Sequence, residues 1–272
     1  MTAPIKSISY GGGVQSTALV LLAIEGQLDY DVALFANVGD DSEHPGTLKW
    51  VREVMQPYAA KHDFPIHELD RVMRDGSHRT LMEDLTRDSR TINIPIRMSN
   101  GAPGNRNCTN AFKIKVVGKW LKANGASKDN PATVAIGIST DEIHRANAKR
   151  SEPYERPVYP LLDMGWSRQD CLRYIDARLG QVPPKSSCFF CPFHRPDTWA
   201  EMRRHEPELF WKSVDLERTL NERRTMLGKD HVWLTRFNKP LDEAIQPEQD
   251  VLPGFEVEYG DDGGCDSGAC FT

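Results

Sequence analysis

Six cysteines occur in the 272 residues, and three of them are spaced for a shared task. Cys188 and Cys191 form a Cys-x-x-Cys pair in Cys188-Phe189-Phe190-Cys191-Pro192, and Cys108 precedes them by 80 residues. Thiolates are the soft ligands that iron–sulfur clusters and zinc select, and a Cys-x-x-Cys turn points two sulfurs at one site. The residues leave three readings open: an iron–sulfur site, a zinc site completed by a histidine such as His194, and a thiol redox pair. The redox reading ranks last, because Pro183-Pro184 and Pro192 deny the pair the strand-then-helix setting of a thioredoxin-like motif. Cys171 falls inside an expected helix and reads as a small buried hydrophobe. Cys265 and Cys270 lie in the last eight residues among Gly and Asp, and acidic neighbours disfavour a thiolate there.

A second group is suited to an anion. Gly11-Gly12-Gly13-Val14-Gln15-Ser16-Thr17 follows a β-prone run and opens an apolar-periodic segment. Glycines let a backbone approach a phosphate closely, the free N–H groups of a helix start favour negative charge, and the Ser16 and Thr17 hydroxyls add donors. No Gly-Lys-Ser/Thr follows at P-loop spacing, and Gly-x-Gly-x-x-Gly is absent, so neither of those nucleotide signatures applies. The alternative is a tight strand-to-helix turn with no ligand.

These residues need a frame. Ile5 to Tyr10, Asp31 to Val38, Pro65 to Leu69 and Ala132 to Ser139 read as strands, with Asp31 to Val38 apolar enough to be buried on both faces. Helices are expected over Gln15 to Glu25, Pro45 to His62 with Pro45 in the first turn, Thr109 to Lys122, and Ser167 to Leu179 with Ser167 as cap. Alternating strands and helices predict an α/β fold, a doubly wound parallel sheet. Arg71 to Asn107 reads as an irregular insertion, Pro153 to Pro160 as a proline-rich connection, and Arg195 to Leu227 as charged helix. The expected organisation is an α/β domain over 1–195, a helical extension over 196–246 and a flexible acidic tail over 247–272.

The order of motifs resembles a family. The glycine loop is similar to the pyrophosphate loop of N-type ATP pyrophosphatases, Ser-Gly-Gly-x-Asp-Ser/Thr, with Gly11 in place of Ser and Gln15 in place of Asp. Gln15 leans toward the phosphoadenylylsulfate (PAPS) reductase branch. Asn37-Val38-Gly39 followed by Pro45 and Thr47 resembles its Asp-Thr-Gly-x-x-x-Pro-x-Thr, with Asn37 departing from the Asp. Gly137-Ile138-Ser139-Thr140-Asp141-Glu142-Ile143-His144-Arg145 resembles Gly-x-Arg-x-Asp-Glu-Ser-x-Arg, and Tyr159-Pro160-Leu161-Leu162-Asp163 its Pro-Leu-x-Asp. Cys108-Thr109 with Cys188-x-x-Cys191 is similar to the cysteine set of adenylylsulfate (APS) reductases, in which Thr109 replaces one cysteine. The resemblance implies the HUP-like ATP pyrophosphatase fold, with an adenine nucleotide held by Gly11, Gly12, Gly13, Gln15, Ser16, Thr17, Asn37, Gly137, Asp141 and Arg145. It places Arg145 on a phosphate or sulfate with Asp141 orienting it, and Cys108, Cys188 and Cys191 on a 4Fe-4S cluster, zinc being the alternative. PAPS reductases also carry a catalytic cysteine near the C-terminus, to which Cys265 or Cys270 corresponds in location only.

Three functions follow as expectations. The first is an ATP- and Mg²⁺-dependent enzyme that adenylylates an acceptor, a nucleic acid or a small molecule, and transfers sulfur supplied by a donor such as a cysteine desulfurase. The second is a PAPS or APS reductase that releases sulfite with thioredoxin and a tail cysteine. The third is a zinc-stabilised binding module without catalysis. Leu241 to Thr272 holds nine acidic residues and no Lys or Arg, so the net charge of −5 leaves +4 on the first 240 residues. Eleven Lys and Arg lie from Arg71 to Lys122. Arg97, Arg106, Lys113, Lys115 and Lys119 flank Cys108 and suit phosphates, whereas Lys115, Lys119 and Lys122 also suit a solvated helix face. No apolar run approaches the roughly 18 residues of a membrane span, and no secretory leader opens the chain, so a cytoplasmic location is expected, with no membrane partner. A homodimer is compatible with all three.

Overall fold

The computed structural model describes residues 3–146 and 152–246. The chain runs β1 (Lys6–Tyr10), α1 (Val14–Ile24), β2 (Val32–Asn37), then α2 (Pro45–Lys49), which continues through a π-helical stretch (Trp50–Met55) into α3 (Gln56–Ala60). β3 (Ile66–Asp70) and α4 (Leu81–Thr86) precede a second π-helical stretch (Thr109–Ile114) that runs into α5 (Lys115–Ala123). Then come β4 (Ala132–Ile136), a 3-10 turn (Thr140–Arg145), β5 (Glu155–Val158), α6 (Pro160–Asp163), α7 (Arg168–Leu179), α8 (Pro196–His205), α9 (Pro207–Met226) and α10 (Leu241–Ala244).

All five strands are parallel, in the order β3-β2-β1-β4-β5. β2 is buried along its whole length, as a Val-Ala-Leu-Phe-Ala run sandwiched between helices requires. Ile8, Tyr10, Ala33 and Phe35 share one cluster with α1, α3 and α7, while Leu34, Ala36 and Val134 share another with Val116, Val117 and Leu121 of α5. Helices therefore cover both faces, which makes the fold α/β with a central parallel sheet.

Two expectations need correction. Pro153 to Pro160 is not merely a connection: Glu155–Val158 forms β5, paired with β4 in the register Val134↔Pro157. Proline is tolerated because β5 is an edge strand with one side unpaired. The insertion 71–107 is not wholly irregular, since it contains α4, whose N-terminus carries a capping box between Thr80 and Glu83. The segment from Arg195 to Leu227 is helical, as expected, in two helices that meet at Glu206, where Pro207 starts α9. These last helices pack back on the insertion. Trp199, Phe210, Leu220 and Leu241 pack in one cluster with Leu81, Ile94, Ile96 and Phe112 of the insertion and the helix after it. Backbone pairing of Arg97 with Trp233, at 2.8 and 2.9 Å, and the Arg223 guanidinium on the Leu85 carbonyl seal that contact. No helix among the described residues is long and apolar enough to cross a membrane.

Candidate functional site

Ligands of open parallel sheets bind beyond the carboxyl ends of the strands, where neighbouring strands lead off in opposite directions. Here that point lies between β1 and β4. The glycine loop leaves β1 and Gly137 to Ser139 leave β4, side by side. An added Cβ on Gly137 would stand 2.8 Å from Ser16 N, and one on Gly12, which has φ +71°, would stand 3.0 Å from Thr47 Cγ2 and Val51 Cγ2. Both glycines are required by close approach, and Gly12 by its left-handed backbone as well.

The start of α1 has no side-chain cap and no acidic residue in its first turn, which leaves its first amides to other acceptors. Ser16 Oγ closes the loop by donating to Gly13 O and accepting from Gly11 N, each at 3.2 Å. The Thr17 hydroxyl finds its partners inside the core. Fully buried, its hydroxyl accepts from Trp50 Nε1 at 3.3 Å and lies 3.5 Å from the Tyr10 hydroxyl, whose pKa burial raises. The position is part of the core because Thr17 shares a helix face with Val14 and Leu21, both buried against the sheet. Gln15, also buried, donates to Ser139 Oγ at 3.3 Å and accepts from Arg168 at 3.2 Å.

Asp141 accepts from Ser139 Oγ at 3.2 Å and from the Arg168 backbone amide at 2.5 Å, whereas Arg145 pairs with Glu142 at 2.5 Å. Asn37 ends β2 by donating to Asp40 and Glu68 at 2.8 Å each while accepting from Gly39 N at 2.8 Å. Arg52 bridges the same two carboxylates and holds the Asp40 carboxyl below its usual range. An Asp at position 37 would be a third carboxylate in this group, which is a physical reason for the amide.

Cys108, Cys188 and Cys191 line a single cavity with Arg106, Thr109 and Lys113. Its volume is about 30 Å³, enough for a water-sized group. The residues that gather it come from distant segments. Lys113, one turn along the π-helical stretch from Cys108, forms a buried ion pair with Glu43 at 3.2 Å, and Glu43 is bridged through its backbone to Cys188. Side-chain exposures of 4% and 1% make this an ion pair removed from water, and the second Glu43 oxygen has no hydrogen-bond partner among the described residues. Two guanidiniums, of Arg97 and Arg106, lie 5.8 and 5.3 Å from the Phe193 ring centre.

The chemistry of the set, three soft sulfurs, fits a thiophilic metal or cluster. Among the described residues, however, no three His, Cys, Asp or Glu side chains are grouped to hold a single ion. His194, the histidine considered for zinc, places Nε2 3.0 Å from the Cys188 carbonyl oxygen. Cys171 is fully buried, and burial pushes its thiol up to about 12, as a core residue requires. Cys265 and Cys270 lie outside the described residues.

The two halves of the site are joined by a segment that the sequence reading passed over. Ser186 donates to the Gly11 carbonyl; the Lys185 carbonyl accepts from Thr47 Oγ1 at 3.4 Å and the Ser187 carbonyl from His44 N at 3.1 Å. Cys188 is two residues beyond Ser186, so their Cα atoms are within about 7 Å. Nothing local in Lys185-Ser186-Ser187 announces these long-range contacts. The chain matches no protein-family model, no curated protein and no solved structure.

Proposed function

We propose that the protein is an adenine-nucleotide-dependent enzyme of the N-type ATP pyrophosphatase kind, related to the PAPS reductase branch, that activates an acceptor by adenylylation for sulfur transfer. One observation carries the reading: the glycine loop, at the point between β1 and β4 where such sheets bind ligands, is hydrogen-bonded to the segment that bears Cys188 and Cys191. A ligandless tight turn gives no reason for thiols to stand beside it.

In this reading the amides of Gly12 to Ser16 receive the phosphates of ATP, with Mg²⁺ offsetting their charge. An acceptor oxygen attacks the α-phosphorus, the bond to the bridging oxygen breaks, and pyrophosphate departs with the electron pair. Cys108, Cys188 and Cys191 would hold a 4Fe-4S cluster, which when bound supplies sulfide chemistry. Lys113, on the same wall, is held there by its buried ion pair with Glu43. The acceptor is a nucleic acid or a small molecule carrying a nucleophilic oxygen.

The test is anaerobic purification followed by iron, acid-labile sulfide and zinc analysis, with Cys108→Ser and Cys188→Ser as controls, and pyrophosphate release from ATP across candidate acceptors. About four irons per chain, lost in either variant, together with acceptor-dependent pyrophosphate, is the expected result. Stoichiometric zinc without sulfide, and no pyrophosphate with any acceptor, would refute it.

A further inference from the structure

Arg168 opens α7 and reaches the crevice between β1 and β4. Its backbone amide is held by Asp141, and its guanidinium donates to Gln15 Oε1 at 3.2 Å. Gln15 in turn donates to Ser139, so α7, the start of α1 and the end of β4 are linked through one chain of hydrogen bonds. Arg52, Arg71, Arg87, Arg173, Arg178 and Arg218 each pair with a carboxylate. Among the described residues the Arg168 guanidinium has no carboxylate within ion-pairing distance, and its one side-chain partner is a neutral amide oxygen. Among the described residues four of its five N–H donors meet no acceptor, which leaves them to solvent or to a ligand. The cation is half-buried and aimed by a fixed neighbour, an arrangement that keeps its charge for something outside the protein.

We infer that Arg168 binds the phosphate chain of the nucleotide and selects a triphosphate over a monophosphate. This rests on the reading of the glycine loop as a nucleotide site. Loop amides are neutral donors that serve one phosphate much as another, whereas a planar guanidinium grips phosphate oxygens in pairs and gains more from a more highly charged chain. The same geometry accounts for Gln15. An aspartate there would form an ion pair with Arg168 and cancel the charge; the amide positions the guanidinium and leaves it cationic.

Dissociation constants of ATP and AMP, measured by calorimetry on the full chain and on Arg168→Gln, Arg168→Lys and Gln15→Asp, test the assignment. Arg168→Gln loses about 10- to 100-fold in ATP affinity, the range expected for a hydrogen bond to a charged group, with AMP changed by less than about 3-fold. Arg168→Lys retains part of the preference, and Gln15→Asp loses it although Arg168 is intact. Thermal melts of all four proteins establish that they are folded. Unchanged ATP affinity in Arg168→Gln, or equal weakening of ATP and AMP, overturns the Arg168 assignment while leaving the nucleotide site standing. If Arg168→Gln fails to fold, Gln15→Asp decides by the same ratio. A parent protein that binds neither ATP nor AMP overturns the nucleotide reading and this inference together.

Discussion

Replacing Gly137 by Ala probes whether the end of β4 sets the shape of the glycine loop. The new Cβ would meet Ser16 N at 2.8 Å and Gln15 C at 3.0 Å, against the 3.4 Å at which ordinary contact begins. The shortfall of about 0.6 Å falls on backbone atoms, so no rotamer change relieves it, and either β4 or the first turn of α1 must move. Overpacking of this kind costs about 1–3 kcal/mol, and at this chain length each kcal/mol lowers the melting temperature by about 2–4 °C. Moving the amides of Gln15 and Ser16 also weakens at least one charge-assisted hydrogen bond to a phosphate, so ATP affinity falls about tenfold or more. Gly26→Ala is the control. Gly26 has φ +70° with nothing within 4 Å of an added Cβ, so the substitution meets only left-handed backbone strain, about 1–2 kcal/mol. The two variants should melt similarly below the parent, while calorimetry with ATP separates them. Parental ATP affinity in Gly137→Ala would refute the claim that this close approach shapes the binding loop.

Three further outcomes are expected. Asn37→Asp removes two donated hydrogen bonds and adds a carboxylate beside Asp40 and Glu68, at a cost of about 2–3 kcal/mol at pH 7.5 in urea unfolding. Those neighbours raise the pKa of the new carboxyl, so the deficit narrows as pH falls to 5; an equal deficit at both pH values would contradict it. Glu217, buried while accepting from Leu234 N at 2.6 Å and Leu241 N at 2.8 Å, has its pKa raised by burial from 4.5 to about 7. Its folded pKa exceeds the unfolded one, so its contribution is full below pH 4.5 and is lost as pH rises through 7. Glu217→Gln should therefore flatten the stability profile between pH 5 and 8 by up to about 3 kcal/mol, and a parent whose stability rises over that interval with the same slope as the variant would exclude the effect. Thr17→Val strands the Trp50 indole N–H and costs about 1–2 kcal/mol in melting or urea titration, yet leaves ATP affinity unchanged; a loss of binding would restore Thr17 to the phosphate site.

Sequence reading went furthest where periodicity and backbone demand coincide. Asp31 to Val38 announced a doubly buried strand through unbroken apolarity, and Ser167 announced a helix start that the Ser167–Asp170 capping box now accounts for. β5 was illegible because proline argues against strand locally, while the fact that rescues it, an edge position in the sheet, is tertiary. The cysteines were legible as a group because thiol chemistry restricts what Cys-x-x-Cys and a distant third cysteine can share. The bond of Thr17 to Trp50 left no local signal, since a hydroxyl beside a glycine loop looks the same in sequence whether it faces a ligand or an indole. Arg168 and Glu43 left no trace, because each acquires its meaning from a partner more than 60 residues away.

The parallel topology explains why residues so scattered meet. Every strand of the sheet ends on the same edge, so the connections that follow β1, β2, β3 and β4 deliver Gly11, Glu43, Cys108 and Ser139 there without further instruction. The Cys188–Cys191 turn has no strand to carry it. It follows α7, which runs away from that edge: Arg168 touches Asp141 at the near end, and Arg178 touches Glu25, beyond α1, at the far end. Twelve helical residues cover about 18 Å, which the chain must recover before Cys188 can reach the cavity. Gly180, left-handed at φ 63°, reverses the direction, and the six steps from Gly180 to Ser186 span about 19 Å if extended. Pro183-Pro184 stiffens that path and forbids it from winding into more helix. The proline pair is thus a strut that returns the chain to the glycine loop, where Ser186 fastens it to Gly11 and sets the thiols beside the crevice.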